Sequence, residues 1–334
     1  MIVLRWLLLP FALLYGALSA LRRFLYEKDV LSAWSCPVPV VSVGNLAVGG
    51  SGKTPVVMWL ARALTERGWR VAIVSRGYKR HSRGPVWVSD GENILADVHE
   101  AGDEPLLLAR RLPGVLVGVG EKRREIMQRI LDQAGVDIFL MDDGFQHLQV
   151  RRDRDWVLHD CAAAFSDQWP MPTGRMRGFR SELKRADRLL DTSGHGACGA
   201  IPLRFEIDAF YLGIDNTPVS LQTGAIVCLF TTIARPERFK KSMEQCGLRV
   251  SAHIAFPDHH DLTAADIRRV ADAFGASKAR WLVCTGKDWI KIYGNPELEK
   301  AFGAAVTRWL VTTQKVIIEQ EKVLLDDVES LMKR

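Results

Sequence analysis

An apolar run from Pro37 to Val43 (PVPVVSV) leads into Gly44-Asn45-Leu46-Ala47-Val48-Gly49-Gly50-Ser51-Gly52-Lys53-Thr54-Pro55, and that loop leads into a helical run from Val56 to Arg67. A strand, a glycine-rich loop, Gly-Lys-Thr and a helix form the architecture of a phosphate-binding loop. The glycines let backbone N–H groups turn inward around a polyphosphate, and the helix N-terminus adds partial positive charge. Nucleotide binding is therefore assigned to Val48, Gly49, Gly50, Ser51, Gly52, Lys53, Thr54 and Pro55. Lys53 is expected to reach the β- and γ-phosphates, and the Thr54 hydroxyl to ligate Mg²⁺. The strict pattern has glycine at position 47, where this chain carries Ala47.

The chain's 334 residues suffice for two α/β domains with cores of their own. A hydrophobic share of 48% and a charged share of 25% describe a globular chain and exclude a disordered one. The net charge of +6 is gathered into groups: Arg22-Arg23; Arg76, Lys79, Arg80 and Arg83; Arg151, Arg152 and Arg154; and Arg175, Arg177, Arg180, Lys184, Arg185 and Arg188. Such runs are usually solvated surface. Beside an apolar N-terminus they suit anionic lipid or a phosphorylated substrate better than nucleic acid, for which no motif is present. The six cysteines are scattered without a CxxC pair, as in a reducing cytosol.

Ile2 to Leu21 (IVLRWLLLPFALLYGALSAL) carries one charge, Arg5, and is long enough to reach across a bilayer. A signal peptide is disfavoured, because export would separate a nucleotide-binding loop from its nucleotide. Between a spanning helix and one lying in the interface, Pro10, Gly16, the early Arg5 and Trp6, and Arg22-Arg23 favour a helix dipping into one leaflet. In either case the body of the protein stays on the cytoplasmic side.

Strands and helices alternate downstream. Strands are expected at Arg70 to Ser75, Pro85 to Ser89, Asn93 to Leu95, Val115 to Val119, Val136 to Met141, Asp155 to His159 and Asp187 to Leu190. Helices are expected at Pro105 to Leu112 and Glu121 to Ala134. This predicts an α/β fold: a P-loop NTPase-type doubly wound parallel sheet. The pattern restarts near Ile201, with strands at Ala225 to Phe230, Arg249 to Phe256 and Trp281 to Thr285, and helices at Pro236 to Cys246 and Thr263 to Phe274. The expected organisation is an N-terminal membrane-associated helix (1–30), a P-loop core domain (31–195) and a second, smaller α/β lobe (196–334), with chemistry in the cleft between the lobes.

The apolar strand Val136 to Met141 ends in Asp142-Asp143. A carboxylate at such a strand end binds the Mg²⁺ that bridges the β- and γ-phosphates. Gly144, Phe145, Gln146 and His147 follow within reach of the metal or the nucleotide. Transfer of phosphate to a hydroxyl also needs a carboxylate or histidine that takes the hydroxyl proton. Asp103, in Gly102-Asp103-Glu104-Pro105, is one candidate, with a helix cap as its ordinary alternative. Asp258-His259-His260 is another, with a surface loop as the ordinary alternative.

The strings LLLPFALLYGAL, PVPVVSVGNLAVGGSGKTP, RGYKR, GDEP, Val119 to Arg123, MDDGFQH, PTGRMR, LKRAD, IARPERF, FPDHHDLT and Lys287-Asp288 together resemble the tetraacyldisaccharide 4′-kinase (LpxK) family of lipid A biosynthesis, almost end to end. The resemblance implies ATP and Mg²⁺, and an acceptor that is a lipid A disaccharide precursor, phosphorylated on its 4′-hydroxyl at the cytoplasmic face of the bacterial inner membrane, with no obligate protein partner. It implies catalytic roles for Lys53, Arg123, Asp103 as base and His259 as its partner from the second lobe. It implies a metal and nucleotide group of Thr54, Asp142, Asp143 and Gln146.

Two positions depart from the family's pattern. Its Pro-x-Gly-Pro-Leu-Arg-Glu reads Pro172-Thr173-Gly174-Arg175-Met176-Arg177-Gly178 here, and its Thr-Glu-Lys-Asp reads Thr285-Gly286-Lys287-Asp288. Glu182 is the candidate substitute for the first missing carboxylate. A lipid kinase is the function these features predict; the alternatives are a membrane-associated P-loop ATPase switch and a degenerate lipid-binding pseudokinase.

Overall fold

The alternation of apolar strands and one-sided helices builds two α/β units in the computed structural model, which describes residues 2–333, with side chains from residue 7 onward. The expectations attached to Arg5 and Trp6 lie outside the described side chains. Residues 1–101, 108–204 and 316–334 form the first unit; residues 102–107 and 205–315 form the second.

In the first unit, α1 (Ile2–Glu27) precedes β1 (Val40–Asn45), α2 (Lys53–Thr65), β2 (Val71–Ser75), β3 (Val86–Asp90) and α3 (Val98–Ala101). α4 (Asp103–Arg111) starts in the second unit and ends in the first. Then come β4 (Leu116–Val119), α5 (Arg123–Gln133), β5 (Ile138–Asp142), β6 (Arg154–His159) and β7 (Arg188–Asp191). The strand order is β7-β6-β1-β5-β2-β4-β3, parallel except for β3 on β4. Strands covered on both faces read as continuous apolar runs, and every residue of β1, β2 and β5 is buried. Ile126, Met127 and Ile130 of α5 pack on Val74, Phe139 and Met141, each large apolar side chain contributing about 1.5–3 kcal/mol. The chain goes from β1 over β5 to β2 and later returns past β1 to β6. β1 and β5 thus flank a switch point, where ligands collect at the carboxyl ends of strands.

β8 (Ile201–Leu212) runs into the second unit, which adds β9 (Pro218–Val219), β10 (Ile226–Thr231), α6 (Pro236–Gln245), β11 (Arg249–Ala255), α7 (Ala264–Ala276), β12 (Trp281–Thr285), α8 (Gly286–Ile292), α9 (Pro296–Ala301) and β13 (Trp309–Ile318). The parallel order β11-β10-β12-β13 is followed by β8, with β9 antiparallel on it. α10 (Glu321–Met332) closes the chain in the first unit.

Packing divides the chain differently from the 195/196 boundary expected above. The glycine-rich stretch 193–200 lies within the first unit, and the crossing falls inside β8, where no turn residue marks it. Residues 102–107 and 316–334 also change sides, because helix and strand continue unbroken through the division. Asn93 to Leu95 forms no strand; Ile94 makes an isolated bridge to Ser89.

The helix α1 is apolar and long enough, at Leu7–Glu27, to cross a membrane by length and composition. Ala12 and Gly16 are buried and Ser19 and Arg23 partly so, giving an inner stripe at helical spacing. Leu7, Phe11, Leu14, Leu18 and Leu21 form the exposed stripe, all more than half exposed.

Candidate active site

The phosphate loop and the acidic strand end leave adjacent strands. Val43 pairs with Asp142 in register, and the Asp143 N–H donates to the Val43 carbonyl at 3.0 Å. Gly49 and Gly52 have φ of 107° and 86°, values that favour glycine. Gly52 is the N-cap of α2, which has no side-chain cap and no acidic residue in its first turn. By contrast, Thr263 and Thr285 cap α7 and α8 with reciprocal capping boxes. The unpaired N–H groups at the start of α2 therefore remain open to an anion.

Asn45, at the end of β1, braces the loop: its Nδ2 donates to Ser51 Oγ at 2.9 Å and to the Ala47 carbonyl at 2.5 Å, and its Oδ1 accepts from Lys53 Nζ at 3.2 Å. Lys53 Nζ also lies 3.6 Å from Asp143 Oδ1, and Arg177 donates to both Asp143 oxygens at 3.0 Å. Burial works to raise the Asp143 pKa, but Lys53, Arg177 and Arg123 outweigh it and hold the carboxyl below its ordinary range. Asp143 is itself left-handed, with φ 55°.

Arg123 opens α5 and is only 5% exposed. Burial, with Arg76 nearby, pushes its guanidinium down to about 10 against the attraction of Asp143 and Asp142, so it remains charged at neutral pH. Asp142 is buried at the end of β5. Gln146 turns its Nε2 toward Glu182 Oε2 at 3.5 Å. Phe145 is fully buried under the loop, and burial pushes His147 down to about 3, so that histidine is neutral. Thr54, Asp142, Asp143 and Gln146 offer oxygen ligands. That chemistry fits Mg²⁺, which takes one or two carboxylates and fills its shell with phosphate and water.

The second unit holds the other expected residues together. Asp103 Oδ2 and His259 Nδ1 are 2.9 Å apart, 156 positions distant in sequence. The two were expected from different lobes, but residues 102–107 pack with the second unit, which contains both. Asp103 is the first residue of α4, not the residue before it, and its Oδ1 accepts the N–H of its neighbour Glu104 at 3.1 Å, which is not the bond of an N-cap. Burial raises the Asp103 pKa, but His259, Lys287 and Lys291 together lower it below the ordinary value. The hydrogen bond to Asp103 raises the His259 pKa against burial. An ionised carboxylate only accepts, so Nδ1 carries the hydrogen toward Asp103, while Nε2 lies 3.8 Å from Asp258 Oδ1.

Residues with no assigned role hold this pair. Buried Asp288 accepts from the Thr232 N–H at 2.6 Å and hydroxyl at 2.7 Å, and from the Thr285 hydroxyl at 2.6 Å. Thr232 in turn accepts from Lys291 Nζ at 2.8 Å through its hydroxyl and from the His259 N–H at 3.1 Å through its carbonyl. Lys291 stands 3.8 Å from Asp103 Oδ2, and Lys287 pairs with Glu104. Gly286, at the start of α8, faces Leu107: a Cβ there would lie 3.2 Å from the Leu107 Cδ1. The Asn45 and Arg177 contributions were signalled by position alone, one at the end of a strand feeding the loop, the other among charged residues.

An uncapped helix behind a glycine loop, with carboxylates on the neighbouring strand, defines the first unit as a P-loop nucleotide-binding fold. The family model for LpxK, tetraacyldisaccharide-1-P 4′-kinase, matches residues 4–333, and the chain belongs to this family. It is 37% identical over 319 residues to a tetraacyldisaccharide 4′-kinase of Chlorobium phaeovibrioides, covering 88% of both chains. It is 39% identical over 297 residues to one of Anaeromyxobacter dehalogenans, covering 83% of this chain and 78% of that one. The crystal structure of LpxK from Aquifex aeolicus in complex with ATP superposes with a TM-score of 0.80 at 32% identity, over 98% of this chain and 99% of that one.

Proposed function

We propose that this protein transfers the γ-phosphate of ATP to the 4′-hydroxyl of a tetraacyl glucosamine disaccharide 1-phosphate, a step of lipid A biosynthesis, and that it does so at the cytoplasmic face of the inner membrane. The observation that carries the reading is the Asp103–His259 pair. A nucleotide-hydrolysing switch has to orient only a water, whereas a kinase needs a base for its acceptor hydroxyl.

In this mechanism the residues from Val48 to Pro55 hold the triphosphate, with Lys53 on the β- and γ-phosphates. Thr54, Asp142, Asp143 and Gln146 would hold Mg²⁺, which when bound would supply charge neutralisation of the phosphates. Asp143 keeps Lys53 and Arg177 in place. Arg123 supplies a positive charge to the transferring phosphoryl group. Asp103 and His259 act as one base: Asp103 holds the imidazole, and the hydroxyl proton comes to rest on the dyad, where the raised His259 pKa favours its retention.

The exposed stripe of α1 together with Arg22 supports attachment to an anionic lipid surface. The decisive experiment incubates the protein with ATP, Mg²⁺ and the lipid A disaccharide precursor. Phosphate on the 4′ position is the expected product, and hydrolysis of ATP without it would favour the switch. Removing residues 1–21 is expected to move the protein from membrane to soluble fractions. Retention in high salt would assign attachment to another apolar surface, and retention only in low salt to the basic clusters.

A further inference from the structure

Glu182 lies in a short 3₁₀ helix, Arg180–Arg185, and is 1% exposed. A buried carboxylate is costly unless cations and donors surround it. Four groups do so at long range: Ser19 Oγ at 3.4 Å, Gln146 Nε2 at 3.5 Å, Arg23 Nη1 at 3.6 Å and Arg185 Nη2 at 3.7 Å. Ser19 and Arg23 belong to the inner stripe of α1, and Gln146 to the loop after Asp142-Asp143. One carboxylate therefore joins the membrane-associated helix to the loop assigned to metal and nucleotide.

The neighbouring sequence makes room for it. A Cβ built on Gly178 would lie 1.9 Å from Glu182 Oε1. A side chain at position 178 would therefore require the Glu182 carboxylate to leave its present place. Gly16 of α1 extends the same contact: a Cβ there would lie 2.6 Å from Phe179 Cζ, so the helix backbone rests directly on that ring. Glycine at 178 and glutamate at 182 act as a pair, as do Gly16 and Phe179.

We infer that Glu182 is a positioning residue: entering the space left by Gly178, it orients the Gln146 amide and ties α1 to the catalytic loop. Because the carboxylate only accepts, it takes the Gln146 Nε2 and leaves the amide oxygen facing away. The inference rests on the assignment of Gln146 to the active site.

The test uses the full-length enzyme and four variants, with kcat and KM for both substrates and hydrogen exchange of the α1 amides as readouts. Glu182→Ala is expected to lower kcat by about 10–100-fold, the usual cost of losing an outer partner, with KM for ATP little changed and exchange in α1 faster. Gly178→Ala should do the same, because its methyl displaces the carboxylate. The exchange Gly178→Glu with Glu182→Ala should recover most of the lost kcat, and this arm remains informative if a single variant folds poorly. Unchanged kcat and α1 exchange in Glu182→Ala would overturn the inference, as would an exchanged double variant no better than Glu182→Ala. Gln146→Ala separates the two readings. Full activity there removes Gln146 from the site, and with it the inference. A loss there beside an unimpaired Glu182→Ala overturns the role of Glu182 alone.

Discussion

The two units each carry a carboxylate held by cations, and they use it oppositely. In the first, Asp143 is surrounded by Lys53, Arg177 and Arg123. In the second, Asp103 is held by Lys287, Lys291 and a histidine, His259, whose pKa is raised from its ordinary value. The first cluster is a fixed electrostatic frame, suited to a highly charged phosphate. The second can take up and release a proton. Each also contains a non-glycine residue in the left-handed region, Asp143 at φ 55° and His259 at φ 56°. Such conformations cost free energy and persist where surrounding structure over-determines them. For His259 that structure is the carbonyl of Thr232, itself fixed by Asp288.

The comparison breaks first at Lys53. If the first cluster is a frame for phosphate, Lys53→Ala should lower phosphoryl transfer by about 10³-fold or more, since catalysis there is positioning and charge stabilisation. The fold should survive, because Lys53 covers no apolar core. Near-normal turnover in this variant would remove the nucleotide assignment.

The second cluster should respond less and differently. Asp103→Ala or His259→Ala is expected to lower kcat by about 10²–10⁴-fold, the range of a positioned base, with ATP affinity little changed. Because the two groups share one hydrogen bond, the double variant should be scarcely worse than either single one. Multiplicative losses would mean independent roles, and an Asp103→Ala enzyme with normal turnover would leave that residue a structural role only.

The clusters also differ in how far the sequence reveals them. The loop from Val48 to Pro55 and the Asp142-Asp143 strand end are local patterns, and their pairing follows from the parallel order that alternating strands and helices imply. Asp103 and His259 could be named as candidates, but not placed 2.9 Å apart, because 156 residues separate them and no local preference encodes that contact. The unit boundary was hidden for the same reason. β8 nevertheless carries a readable signal: Leu203, Phe205 and Ile207 alternate with Arg204, Glu206 and Asp208, the period of a half-covered strand. Asp288 could be named from the Lys287-Asp288 string, but its contact with Thr232 was illegible, since a buried threonine–aspartate contact looks like any pair of small polar residues.

The smallest effect separates the clusters by pH. His259 has its folded pKa raised above the ordinary 6.5, so its pairing contributes stability that is present below 6.5 and is lost as pH rises through the raised value. Asp103 has its folded pKa lowered below 3.8, so its contribution is present above 3.8 and is lost as pH falls through the lowered value. The pair is therefore worth most between those two ordinary values. The stability difference between wild type and His259→Gln, followed by denaturant melts from acid to mildly alkaline pH, should peak in that window and shrink on both sides. In activity, the dyad must be free to accept a proton, so kcat should fall on the acid side with a midpoint above 6.5. Asp103→Asn removes the group that most raises the imidazole and leaves burial and Lys287, which lower it, against Asp258, so any residual activity should show that midpoint moved to lower pH. Substitutions at Asp143 should leave the midpoint where it is. A midpoint that moves with Asp143 and not with Asp103 would transfer the titrating step to the first cluster and end the distinction between the two.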